Sequence, residues 1–145
     1  GRREGQEPVR AQRVAFLLNI VTPSGSIFSG QVDSLQAPGS SGAFGVLTGH
    51  APMIAALQTG KLRFTEEGGG GRTLACSGGF TEVQADRVTV LAESAEFGDQ
   101  IDLERAQAAR DRAAERLLDR DNIDSARAEA ALARALNRIR IAGSG

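Results

Sequence analysis

Arginines recur at a regular spacing near the end of the chain. They form two series with the same steps of seven and four residues: Arg105, Arg112 and Arg116, then Arg127, Arg134 and Arg138. Such steps keep side chains on nearly one face of a helix, so two facing helices can aim several guanidinium groups into one space. A guanidinium group binds two phosphate oxygens at once. The spacing is therefore compatible with a phosphate-binding surface between two helices.

The same arginines have a plainer interpretation as a solvated, salt-paired surface. Residues 96–141 contain nine arginines and ten acidic residues, so pairs four residues apart, such as Glu104 with its arginine neighbours, can neutralise many of the charges. Lys61 is the only lysine among 17 basic residues, so the preference for arginine extends over the whole chain. On spacing alone, the salt-paired surface is the favoured interpretation.

A short pattern, Ile-Asp-x-x-Arg-Ala, appears twice in this region. It reads IDLERA at 101–106 and IDSARA at 123–128. Asp102 and Asp124 stand where a helix N-cap is expected, because a carboxylate there accepts the free amide protons of the first turn. The preceding isoleucine can pack against a residue further along the helix. The pattern therefore predicts two helix starts, but it leaves the arginine at its fifth position unexplained.

The elements that position these residues change character along the chain. Residues 14–93 read as short strands separated by Gly, Pro and Ser, including a hairpin of 61–67 and 72–80 around a glycine run, which predicts a small sandwich or barrel. Residues 94–141 read as a hairpin of two antiparallel helices with a break at 118–122. Residues 1–13 are predicted to be a disordered extension. Because alanine contributes little apolar area, the helical hairpin should rest on another element or move.

Several function classes are disfavoured. A net charge of −1 and the absence of Trp and Tyr argue against a nucleic-acid module, and no apolar run reaches the roughly 18–20 residues that a membrane span needs. No signal peptide is expected at the start. His50 and Cys76 are the only residues of their types, so a catalytic pair would require the fold to bring them together, and a metal site lacks ligands. We expect Cys76 to be buried, and we predict neither a catalytic nor a metal site.

Four segments in sequence order resemble the epsilon subunit of bacterial F-type ATP synthase. They are GAFGVLTGHAPM (42–53), SGGFTEV (77–83), IDLERA and RALNRI (134–139). The resemblance covers residues 14–141 and implies a ten-stranded β-sandwich over 14–93, followed by an antiparallel two-helix hairpin over 94–141. It also implies a non-catalytic subunit of the central stalk that helps couple proton-driven rotation to ATP synthesis. The alternative is a freestanding interaction module of the same architecture with no role in ATP synthase.

The resemblance implies particular partners and a location. The β domain would bind the gamma subunit and the c-subunit ring, and the complex would lie peripherally at the cytoplasmic face of the bacterial plasma membrane. The loop of Gly49, His50, Ala51 and Pro52 would contact the stalk near the c-ring, although a turn shaped by Gly and Pro explains it equally well. The helical hairpin would extend along gamma toward the catalytic alpha and beta subunits and inhibit ATP hydrolysis. Folded back on the sandwich, it would permit hydrolysis.

The resemblance further implies that the folded hairpin binds ATP as a regulatory ligand, with the role of Mg²⁺ left open. The positions that match the family's ATP-binding pattern are Glu96, Ile101, Asp102, Arg105, Ala106, Arg112, Arg134 and Arg138. The second copy of the pattern, IDSARA, is expected to serve only as a helix start.

Overall fold

The computed structural model describes residues 15–119, 121 and 124–145, and the predicted extension at 1–13 lies outside them. Within the described residues, seven β-strands precede two α-helices. The strands are β1 (Phe16–Thr22), β2 (Gly25–Gly39), β3 (Gly42–Leu47), β4 (Met53–Ala56), β5 (Gly60–Glu66), β6 (Gly71–Val83) and β7 (Arg87–Phe97). A 3₁₀ turn (Gly98–Gln100) leads into α1 (Leu103–Leu118), and α2 spans Ser125–Ile141.

The strands form one hydrogen-bonded ring in the order β1-β7-β6-β5-β2, closed by pairing of β2 with β1. β3 adds to β2, and β4 adds to β6. β1 and β7 run parallel, and the other pairs are antiparallel. β2, β6 and β7 have 15, 13 and 11 residues, and each changes neighbours along its length. If each of these three long strands is counted as two, the seven strands become ten. The predicted β-sandwich is therefore confirmed, although it is built from seven continuous strands.

Alternating apolar side chains fill the interior of the strand ring. Leu18, Ile20 and Val90 are fully buried, as expected where every second residue of a strand points inward. The ring of Phe64 packs against the ring of Phe28, with centroids 4.4 Å apart. It also packs edge-on against Phe97 at the end of β7. The interior therefore provides a well-packed scaffold for the face that carries the helices.

The end of the last strand lies beyond the predicted domain boundary. β7 continues to Phe97, so the boundary placed after Glu93 falls inside this strand. Phe97 pairs with Leu74 and is only 8% exposed, so the core holds this segment in the sheet. The Ala- and Glu-rich sequence before Phe97 lacks a strong strand pattern, so the sequence did not indicate that β7 extends to Phe97.

Both helices begin at the predicted aspartates. The Asp102 carboxylate accepts a hydrogen bond from the Arg105 amide at 3.2 Å, and Asp124 accepts from the Arg127 amide at 3.1 Å. The seam between the helices is made of small residues that are almost fully buried: Ala106, Ala113, Ala128 and Ala135. The larger apolar side chains Leu103 and Leu136 are 44% and 43% exposed. The helices therefore approach closely through alanine, without large side chains between them.

The helical hairpin is folded against the sheet. α2 packs on β5 and β6, whereas α1 packs mainly on α2. Asn137, only 3% exposed, donates from Nδ2 to the carbonyl oxygen of Gly60 at 2.9 Å. At the end of α2, the Gly143 amide donates to the carbonyl oxygen of Gly98 at 2.9 Å, which joins the end of the helical region to its start. Neither helix in the described part of the chain is long and apolar enough to cross a membrane.

Candidate functional site

A cavity of about 530 Å³ lies between the sheet and both helices. Its floor comes from the sheet, through Thr59, Ala75, Cys76, Ser77, Ser94, Ala95 and Glu96. Its walls come from the helices, through Ala109, Arg112, Ala113, Arg116, Ala131, Arg134, Ala135, Asn137 and Arg138. A volume of this order suits a small organic ligand. Because sheet and helices each supply part of the lining, the cavity exists only while the helical hairpin is folded down.

The cavity is strongly basic. Among the described residues, its charged lining consists of four arginines, Arg112, Arg116, Arg134 and Arg138, and one carboxylate, Glu96, which gives a net charge of +3. Arg138 donates from Nε to Oε1 of Glu96 at 3.0 Å, and the two side chains are 30% and 38% exposed. Among the described residues, neither Arg112 nor Arg134 has an ion-pair partner. Like charges gathered around one space attract an anionic ligand.

The structure brings half of the predicted ATP-binding residues together. Glu96 and three predicted arginines line the cavity, whereas the IDLERA residues are not among the described residues that line it. Asp102 is engaged as the N-cap of α1, and Ala106 is fully buried in the alanine seam. Arg105 lies one turn, about 6 Å along the helix axis, before Ala109 at the edge of the cavity. The IDLERA segment therefore forms and caps the start of α1, next to the cavity.

Twelve of the sixteen described lining residues fell outside the predicted ATP-binding set, among them the polar residues Ser77, Ser94, Arg116 and Asn137. Arg116 shares the seven- and four-residue spacing, so that signal was present in the sequence. The serines' neighbours Cys76 and Ala95 belong to the core or pack against it, which places the serines on the opposite face of the sheet. Their meeting depends on the pairing register of β6 and β7, and that register was not readable from the sequence.

The floor of the cavity is kept open by small side chains on adjacent strands. Ser77 faces Ser94 across β6 and β7, and Ala75 faces Glu96 two residues further along. The two serine hydroxyl oxygens are 2.7 Å apart and hydrogen-bonded. Larger residues at these positions would fill the space between the sheet and the helices, so their size helps to create the cavity.

The thiol of Cys76 is unsuited to nucleophilic chemistry. Cys76 is 1% exposed, as expected from the sequence. Burial, followed by the nearby Glu93 carboxylate, raises the pKa of the Cys76 thiol to about 11, so it stays protonated at neutral pH. His50 lies in the loop after β3 and donates from Nδ1 to the carbonyl oxygen of Ala51 at 2.9 Å. Among the described residues, no group of three or more His, Cys, Asp or Glu could hold a metal ion.

A second surface is apolar and lies on the outside of the sandwich. The loop of Gly49–Pro52 connects β3 to β4, and Ile54, just after it, is 72% exposed. On the neighbouring strands, Ala56 pairs with Phe80 and Phe80 pairs with Leu91, so these side chains form a row. Phe80 and Leu91 are 54% and 50% exposed. We call Ile54, Ala56, Phe80 and Leu91 the apolar row, and such contiguous apolar exposure is typical of a protein contact.

Comparison with known proteins places both halves of the chain in one family. The model of the ATP synthase delta/epsilon chain β-sandwich domain matches residues 15–98, and that of the delta/epsilon chain long α-helix domain matches residues 99–143. The chain is 50% identical over 100 residues to an ATP synthase epsilon chain of Desulforamulus reducens, covering 69% of this chain and 75% of the relative. It is 44% identical over 126 residues to an ATP synthase epsilon chain of Bacillus pumilus, covering 87% and 95%.

A solved structure supports the same assignment. A chain in the cryo-EM structure of the Euglena gracilis mitochondrial ATP synthase, which includes OSCP, F1 and the c-ring, superposes with a TM-score of 0.76 at 25% identity, covering 86% of this chain and 79% of that one. The fold, the order of the two domains and the identities agree. The chain therefore belongs to the ATP synthase delta/epsilon family, as a non-catalytic epsilon subunit of the central stalk.

Proposed function

We propose that the helical hairpin is a regulatory arm that binds ATP while it is folded on the sandwich and inhibits ATP hydrolysis when it is extended. The observation that carries this proposal is the cavity with a net charge of +3, whose walls come from both helices and whose floor comes from the sheet. Releasing the hairpin takes this site apart. A ligand that needs contacts with both helices and with the sheet therefore binds only the folded arrangement.

The energetics suit a switch biased by its ligand. The alanine seam buries little apolar area, and the arginines repel one another when the hairpin is folded. A bound polyphosphate supplies the missing negative charge. A ligand that binds only the folded state stabilises it by about 2.7 kcal/mol at a hundredfold excess over its Kd. That is enough to move a marginal equilibrium from mostly extended to mostly folded.

The extended state would present the same arginines to other subunits. Arg112 and Arg134, held over the cavity in the folded state, would become available to acidic segments of gamma and of the catalytic alpha and beta subunits. We infer that this contact blocks hydrolysis and that ATP in the cavity competes with it. High ATP would keep the hairpin folded, and low ATP would release it.

The sandwich would supply the fixed contacts of the subunit. We propose that the apolar row binds gamma and that the loop of Gly49–Pro52 contacts the c-ring. This arrangement would place the subunit peripherally on ATP synthase at the cytoplasmic face of the bacterial plasma membrane. Through these contacts it would help couple proton-driven rotation to ATP synthesis.

Calorimetric titration of the full chain with ATP, with and without Mg²⁺, tests the site. Arg134→Ala and Arg112→Ala should each weaken binding at least tenfold, because each removes a charge-assisted hydrogen bond in the cavity. Arg105→Ala should weaken it less, since Arg105 lies outside the lining. Arg110→Ala is the matched control, because Arg110 is paired with Asp111 away from the cavity. No heat up to millimolar ATP, or equal losses in all four variants, would contradict the proposal.

Co-purification with gamma tests the apolar row. Phe80→Glu should abolish stable recovery of a coexpressed gamma subunit, because the contact would then bury an unpaired charge. Lys61→Glu, a charge change at an exposed position on β5, should leave recovery unchanged. Circular dichroism of the variants checks that they are folded. Full recovery of gamma with folded Phe80→Glu protein would place the gamma contact elsewhere.

A further inference from the structure

The floor of the cavity carries a pair of hydroxyl groups that the stalk function does not explain. Ser77 and Ser94 both line the cavity, and their hydroxyl oxygens are 2.7 Å apart. Ser77 is 6% exposed, so a ligand can reach it only through the cavity. The rest of the described floor is lined by Thr59, Ala75, Cys76, Ala95 and Glu96. The hydroxyl pair therefore adds two adjacent polar groups to the floor of a basic site.

One hydroxyl proton of the pair remains available to a ligand. Each serine has one proton to donate, and the hydrogen bond between the two uses only one of them. The remaining O–H can donate to an anionic oxygen, and hydrogen bonds of this kind are short and strong. An alanine at either position removes this arrangement with almost no change in size.

The position of the pair relates it to the arginines. Ser94 lies two residues before Glu96 on β7, which is roughly 6.6 Å along the strand. Arg134 lies four residues before Arg138 on α2, which is about 6 Å along the helix. Because Glu96 and Arg138 form an ion pair, and both steps lead away from Gly98, Ser94 and Arg134 lie on the same side of that ion pair along their elements.

The two ends of the cavity therefore differ in charge. Away from Gly98, the charged side chains of the described lining are Arg112, Arg116 and Arg134. At the other end, Glu96 neutralises Arg138, and Asp99 and Asp102 follow on the 3₁₀ turn and the α1 cap. A ligand with an anionic end and an amino-bearing end fits this polarity in one direction only.

We propose that the Ser77–Ser94 pair is the phosphate-recognising floor of the nucleotide site, and that it distinguishes ligands by their number of phosphates. This inference rests on the proposed binding of ATP. In this arrangement the free hydroxyl donates to an oxygen of the outer phosphates, between guanidinium groups from both helices. The base end of the nucleotide then lies toward Glu96. AMP, which lacks the outer phosphates, does not use the pair.

Calorimetric titrations of the full chain with ATP, AMP and inorganic triphosphate test this assignment. In the Ser77→Ala/Ser94→Ala double variant, affinity for ATP and for triphosphate should fall roughly tenfold, as expected for one lost hydrogen bond to a charged group. Affinity for AMP should stay within about twofold of the parent value, because AMP does not reach the pair. Ser94→Thr retains the hydroxyl and should retain the preference of the parent for ATP over AMP.

The outcomes separate the two proposals. If the double variant keeps the parent ratio of ATP to AMP affinity and changes only its melting temperature, the pair merely ties β6 to β7 and the inference is overturned, while ATP binding stands. An equal loss for all three ligands also overturns it, because the cavity would then have changed shape. If the parent chain binds neither ATP nor triphosphate, both proposals are wrong.

Discussion

Raising the pH from 9 to 11 is expected to lower the free energy of unfolding by about 2 kcal/mol through Cys76 alone. The pKa of the thiol is raised from its ordinary value of 9.0 to about 11, mainly by burial. Below pH 9 the thiol is protonated in both the folded and the unfolded chain, so its full contribution is present. Between pH 9 and 11 the unfolded thiol ionises while the buried one stays protonated, so stability falls as pH rises.

The composition of the chain makes this effect measurable. Tyrosine is absent and Lys61 is the only lysine, so few side chains titrate in this range. Urea unfolding at half-unit steps from pH 8 to 11, in a Lys61→Arg background, should show the decline. Cys76→Ala in the same background should lower stability at pH 8 but flatten the decline. An equally steep decline without the thiol would show that another group is responsible.

Gly98→Ala is expected to undock the end of α2 and to weaken ATP binding about tenfold or more. A Cβ at this position would lie 2.6 Å from the carbonyl oxygen of Ser144 and 2.8 Å from that of Ile141. Both atoms belong to the backbone, so the segment after α2 must move, at a cost of about 1–3 kcal/mol. Because only the folded hairpin forms the cavity, the apparent affinity falls with the folded fraction.

Hydrogen exchange provides a readout that does not depend on a ligand. The Gly143 amide, bonded to the carbonyl oxygen of Gly98 at 2.9 Å, should exchange at least tenfold faster in the variant. Amides of β6 and β7 should keep their protection. Gly45→Ala is a suitable control, because its Cβ would meet only one atom, at 3.7 Å. Unchanged exchange at Gly143 in Gly98→Ala would show that the segment adapts without undocking.

Much of the fold could be predicted because local chemistry determines it. The two Ile-Asp pairs gave both helix starts, since a capping aspartate acts only on the turn that follows it. The glycine run between 61–67 and 72–80 likewise indicated a hairpin, because a turn is determined by the residues that form it. The end of β7 was missed because Phe97 belongs to the sheet through its distant partner Leu74. The buried face of α2 could not be predicted from hydrophobic residues, because this helix buries alanines against α1 and Asn137 against the sheet.

The candidate site was harder to predict, because it forms only in three dimensions. The spacing of Arg112, Arg134 and Arg138 indicated one shared space, and the structure puts all three around one cavity. The spacing could not show which of these charges are paired: Arg110 and Arg138 have carboxylate partners, whereas Arg112 and Arg134 have none among the described residues. The serine pair depends on the register between two long strands, and the role of Asn137 depends on how α2 sits on Gly60. Neither relation leaves a local signal.

The closed ring of strands has a mechanical consequence. In the described part of the chain, no β-ladder crosses from the sandwich to the helical hairpin, which is joined to it by the covalent link after Phe97 and by side-chain and terminal contacts. The proposed release of the hairpin would therefore break no strand-to-strand hydrogen bond. Torque applied to any strand of the ring would be shared by a neighbour on each side. In the proposed mechanism, the ring would thus continue to bear torque while the hairpin changes position.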